Sequence, residues 1–187
     1  MLKLSKCFML MVFTVIILIL PSCTEDEEEE RITIKFSFDE DLEGWNIGTS
    51  GKSLDGVLWI DYCGQPPGAV KLDGSDSGNP DKQPNSWIYK EIKLPEKVTT
   101  LNFITSAHNR EGANAELRVR LIDESQTSNI LIDWELANPG VEGECIWIEK
   151  DVEIYQFAGQ TITLFFEQGD NDIGMHEQRY IDNIIIE

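Results

Sequence analysis

The chain has 187 residues, with 15 lysines and arginines against 34 aspartates and glutamates, giving a formal net charge of −19 at pH 7. A surface this acidic repels phosphate backbones and anionic headgroups, which argues against nucleic acid as a partner and confines membrane contact to a lipid anchor. Neutral ligands and cations stay open as partners.

In chain order, Lys3 and Lys6 precede an apolar run from Phe8 to Leu20 in which only Thr14 is polar. A membrane-spanning helix needs about 20 apolar residues, so this shorter run fits the core of a cleaved signal peptide, residues 1–22. The run ends in Leu20-Pro21-Ser22-Cys23, which resembles the lipobox of bacterial lipoproteins, with Pro21 as the atypical position. That resemblance implies acylation of the Cys23 thiol and a new N-terminus there. Acyl chains contribute about 0.8 kcal/mol per buried CH2, so several of them anchor firmly.

Residues 25–30, Glu-Asp-Glu-Glu-Glu-Glu, repel one another and bury nothing, so 23–30 reads as a lipidated cysteine followed by a solvated tether. An acidic stretch in this place also resembles the export signal of surface lipoproteins in some Gram-negative bacteria. The expected location is the bacterial outer membrane, lipid-anchored and facing outward. Loss of residues 1–22 removes two lysines and no acids, taking the net charge to about −21. Of four cysteines, Cys7 leaves with the signal and Cys23 carries lipid. Cys63 and Cys145 are then either a disulfide closing a loop of about 80 residues or two separate buried thiols.

From Arg31 to Glu187 no composition break, repeat or long helical period interrupts the sequence, so 31–187 reads as one domain. Strands dominate it. Ala115, Leu117, Val119 and Leu121 alternate with Glu116, Arg118 and Arg120; Ile162, Leu164 and Phe166 alternate with Thr161, Thr163 and Phe165; Ile88, Ile92 and Leu94 mark a third two-faced strand. Further strands are predicted over 32–37, 57–61, 69–72, 99–105, 130–134, 146–154 and 179–186. Turn-rich segments 64–68, 73–85 and 168–174 separate them, and 155–160 suggests a short helical turn. About ten short strands with polar turns predict an all-β, antiparallel two-sheet sandwich of jelly-roll type.

FSFDEDLEGW near the start, GQPPGAVKLDG, WIEKDVEIYQFAGQTITLFF and the closing RYIDNIII, in that order, resemble the galactose-binding-like jelly rolls, a group that includes carbohydrate-binding modules and MAM domains. The resemblance covers nearly all of 32–187 and speaks for architecture more than for ligand. It implies that Asp39, after the first strand, and Asp182, in the last, share a structural calcium. That ion takes six to eight oxygens, so carbonyls or neighbours such as Glu40, Asp41 or the Asp73-Gly74 turn must help. The competing reading is that Asp182 marks a bulge, since Ile181 and Ile184 cannot share a face under strict alternation. The loop 73–78 matches a calcium loop loosely, with Pro84 where glutamate belongs.

Sugar recognition needs flat rings against C–H faces and planar polar groups for hydroxyls. The sequence offers Trp59, Tyr62, Trp87, Tyr89 and Trp147 as rings and His108, Arg110, Arg118 and Arg120 as polar partners, while Trp45 and Trp134 read as core. Enzymatic motifs are wanting: His176-Glu177 is followed by Tyr180 where a zinc protease has histidine, and two histidines do not suggest a histidine-based triad. The expected function is a surface-anchored, non-catalytic module for glycans or glycoproteins. The alternative is a protein-interaction or structural subunit with a MAM-like domain. Cys23→Ser should release the protein from the membrane fraction, and deleting residues 25–30 should preserve lipidation while lowering surface exposure. A serine variant that stays with the membrane refutes the lipobox.

Overall fold

The computed structural model describes residues 32–50, 56–64, 67–74, 84–109, 115–136, 145–169 and 177–187. Its strands are β1 (Ile34–Phe36), β2 (Asn46–Thr49), β3 (Val57–Ile60), β4 (Ala69–Asp73), β5 (Ser86–Lys93), β6 (Thr100–Asn109), β7 (Glu116–Ile122), β8 (Ser128–Leu136), β9 (Ile148–Glu153), β10 (Thr161–Gly169) and β11 (Glu177–Ile186), with one 3-10 turn at Tyr155–Phe157. Sheet I has the order β3-β4-β11-β6-β9, with β1 also on β11, and sheet II has the order β2-β5-β10-β7-β8. Every pairing is antiparallel. The result is an all-β jelly-roll sandwich.

Alternation puts one face of each sheet into a common core. Ile162, Leu164 and Phe166 of β10, Leu117, Val119 and Leu121 of β7, and Ile88 and Ile92 of β5 meet Leu101 and Phe103 of β6 and Ile181, Ile184 and Ile186 of β11. Aromatic edges lock this contact: Phe166 lies 5.8 Å from Trp45 and 4.9 Å from Phe103 between ring centroids, both edge to face. Fully burying one such ring contributes roughly 1.5–3 kcal/mol, so this cluster is a principal source of stability.

A second, smaller cluster lies on the far side of sheet I, where Ile60, Cys63, Ala69 and Tyr180 pack with Cys145 and Trp147. Cys63 and Cys145 are disulfide-bonded there with Cα atoms 6.1 Å apart, which resolves the alternatives that the sequence left open.

Three expectations need correction. β2 was not foreseen, because Asn-Ile-Gly-Thr holds one β-branched apolar residue and a glycine, a weak strand signal. Gln168 and Gly169 extend β10 and do not begin a turn, since both stay paired with β7. Trp134 is not core: β8 pairs irregularly between Leu117 and Arg120 of β7, so parity is lost and the indole crosses to the outer face.

Candidate glycan-binding face

The register of sheet II sets two rows of side chains across its outer face. One runs Gly48, Trp87, Glu167, Arg118, and the other runs Asn46, Tyr89, Phe165, Arg120, Ile130. Four of the residues singled out in the sequence, Trp87, Tyr89, Arg118 and Arg120, thus share one surface. Glu167, Phe165 and Trp134 join them without having been singled out as ligand-binding. For Phe165 and Glu167 the signal was present, as both stand at outward positions of the β10 alternation.

Glu167 is the hub. It is 1% exposed, and its two oxygens accept from Arg118 Nε at 2.5 Å and Arg120 Nε at 2.9 Å. Each guanidinium also lies over a ring, Arg118 at 4.3 Å from the Trp134 centroid and Arg120 at 3.9 Å from that of Phe165. Tyr89 stacks on Phe165 at 5.3 Å and 15°. Stacking and ion pairing together fix side chains that would otherwise sample many rotamers. Glycine makes room at both ends: a Cβ on Gly48 would lie 2.3 Å from the Trp87 indole, and one on Gly169 would lie 2.5 Å from that of Trp134.

The other candidate ligand residues fall elsewhere. Trp59 packs on the main core and donates from Nε1 to the Phe38 carbonyl at 2.6 Å, so it clamps the loop after β1. Trp147 packs in the disulfide cluster. Tyr62 is largely exposed; the Tyr180 phenol donates to Gln178 Oε1 at 2.6 Å and is raised well above its ordinary value by burial and then by Tyr62. His108 belongs to β6, opposite Gln178, with its side chain outside the described residues. Arg110, Cys23, the tether and most of the loose calcium loop also lie outside them. Glu177 opens β11, and His176 lies outside the described residues.

Asp39 follows β1, and Asp182 lies in β11, the strand on which β1 pairs. β1 ends with Phe36 opposite Ile184, and the first β4 residue paired with β11 is Val70, opposite Ile181, so both pairings stop beside Asp182. The register shifts there and Asn183 has a φ of 48°, the bulge that Ile181 and Ile184 required. Asp182 is fully buried and accepts from the Asn183 N–H at 2.6 Å; Asp39 is exposed and accepts from Ser37 Oγ at 2.8 Å. Such hard oxygens suit calcium. Among the described residues no group of three or more Asp, Glu, His or Cys that could hold a metal ion is found.

Arg179 is a further cation, buried on β11 between β4 and β6, donating to Thr105 Oγ1 at 2.9 Å and to the Ala115 carbonyl at 3.1 Å. Burial pushes its guanidinium down to about 10, against the opposing field of Glu135.

No family model and no curated protein matches the sequence. Solved structures do. The K1 cleaved adhesin domain of Lys-gingipain from Porphyromonas gingivalis W83 is similar with a TM-score of 0.59 at 18% identity, over 84% of this chain and 98% of that one. The C-terminal family 22 carbohydrate-binding module of Clostridium thermocellum Xyn10B gives 0.53 at 13%, over 82% and 91%. The mannan-recognising carbohydrate-binding module TmCBM27 gives 0.51 at 15%, over 83% and 98%. These likenesses establish the fold: the jelly roll of carbohydrate-binding modules and galactose-binding-like domains.

Glu167→Gln keeps the shape of the hub, removes its charge and leaves a single acceptor oxygen, so one bond survives in weaker, neutral-acceptor form and the amide NH2 is set against the other guanidinium. It should destabilise the domain by about 1–3 kcal/mol in urea unfolding. A midpoint equal to the parent's would mean that stacking alone holds both arginines.

Proposed function

We propose that this protein is a surface-anchored, non-catalytic module that binds glycans on the outer face of sheet II. The observation that carries the reading is the ordered array there: Trp87 and Tyr89 as rings, with Arg118 and Arg120 as planar donors already fixed by Glu167. Groups held in place before binding lose little entropy on association. A dissociation constant near 1 mM needs only about 4 kcal/mol, within reach of one or two stacked rings and a few hydrogen bonds. The fold shared with modules whose names record xylan or mannan recognition supports the same class. The lipobox and acidic tether support attachment at the outer surface.

A second reading, a protein-interaction subunit, is favoured by the exposure of Ile47 and Ile130 on the outer strands of sheet II. A glycan array on soluble protein starting at Arg31 separates the two. Binding is expected, and Trp87→Ala or Tyr89→Ala should weaken it about three- to tenfold with the fold intact. Failure on every glycan would favour the interaction subunit.

Calcium held by Asp39 and Asp182 belongs to this reading as a structural ion joining the first and last strands. At about 100 times its dissociation constant it should add roughly 2.7 kcal/mol, raising the melting temperature by several degrees, with reversal by chelator. Asp182→Ala should abolish the response. A melting temperature indifferent to calcium and chelator in the parent protein would remove the ion from the proposal and leave the bulge as the whole role of Asp182.

A further inference from the structure

We propose that the glycan taken by the outer face of sheet II carries carboxylates, as a uronate chain does, and that Arg118 and Arg120 hold one carboxylate between them. The proposal rests on the glycan-binding reading above and names its ligand class.

The donor and acceptor balance of the face points that way. Each hydroxyl of a neutral sugar both donates and accepts, so a face built for neutral sugars offers both kinds of partner. At the centre of this face the one carboxylate, Glu167, is 1% exposed and has both oxygens engaged by the arginines. Only Nε of each guanidinium is used for that purpose, and among the described residues the Nη groups make no hydrogen bond. What remains toward a ligand at the centre is donors, the acceptors of the two rows lying at Asn46 and the Tyr89 hydroxyl on the β2 side. Two guanidiniums against one carboxylate also leave more cationic than anionic side chains in the two central rows, in a chain of net charge −19.

Among the described residues, the ion pairs of both guanidiniums are with Glu167. Glu116, buried, and Glu91, exposed, lie in the neighbouring rows, and Lys93 is paired with Glu124 at 3.9 Å. At physiological salt the acidic surface beyond about 8 Å is screened, so groups in contact with the ligand decide its sign. The overall charge then lowers the association rate of a polyanion without forbidding the complex. Planar guanidinium forks match carboxylates in geometry as well as charge, and the rings beneath them keep the forks oriented.

The test is affinity electrophoresis and calorimetry, each run in calcium and in chelator, with polygalacturonate, alginate and hyaluronate, with fully methyl-esterified polygalacturonate, with neutral galactan, xylan and mannan, and with dextran sulfate. At least one uronate chain should bind. If it is polygalacturonate, esterification, which removes the charge and keeps the backbone, should cost about ten- to a hundredfold in affinity. Arg118→Gln and Arg120→Gln should each lose a similar factor; should either misfold, the ester comparison on the parent protein still decides. Binding to neutral chains with none to uronates overturns this proposal and leaves the glycan-binding reading standing. Dextran sulfate bound as well as the best uronate overturns carboxylate recognition in favour of charge alone. No binding to any chain overturns both readings.

Discussion

Phe166 sits fully buried where the edges of Trp45 and Phe103 meet it, and the outer face of sheet II depends on that contact. Side chains alternate along a strand, so seating Phe166 in the core sends Phe165 and Glu167 to the opposite surface of β10. The central position of β10 then fixes their neighbours on both sides. Tyr89 and Trp87 of β5 stand on one flank, Arg120 and Arg118 of β7 on the other. A register slip of one residue would bury Glu167 in the core and expose Phe166, which the energy of an unpaired buried carboxylate forbids.

Electrostatics completes what register begins. A carboxylate as buried as Glu167 is costly unless paired, and here two guanidiniums share it. The arginines in turn keep their charge partly hydrated, at 19% and 21% side-chain exposure, while their flat faces rest on Trp134 and Phe165. Neither the ion pairs nor the stacking would orient the forks so well alone. The combination explains why a strongly acidic chain holds two of its few cations in the middle of one sheet.

Much of this was legible in the sequence because period-two alternation is local. The inward sets of β5, β7 and β10 could be read directly, and Arg118, Arg120, Trp87 and Tyr89 followed as their outward complements. Even the bulge at Asp182 was visible, since Ile181 and Ile184 demand one face and alternation denies it. Trp134 was misplaced because parity with Ile130 and Ile132 holds only until an irregularity, and irregular pairing is set by the partner strand. Trp59 and Trp147 looked like ligand rings because a lone strand does not reveal which of its faces a loop or a disulfide will cover. Which strands become neighbours is a long-range property, so the meeting of Glu167 with both arginines could not be read from any one segment.

The two sheets divide the labour between them. Sheet I carries the disulfide cluster on its outer side, the bulge that seats Asp182, and the seam where β1 and β4 share β11. Sheet II carries none of these among the described residues, and no described strand pairs across its outer rows. Stabilising devices that lock the chain from outside cover the surface they lock, and here they lie on sheet I. The core between the sheets still couples them, because Phe103 of sheet I touches Phe166 of sheet II. Damage to sheet I therefore reaches the arginine face through the position of β10, as a loss of order, while substitutions at Trp87, Tyr89, Arg118 or Arg120 act on the outer face directly.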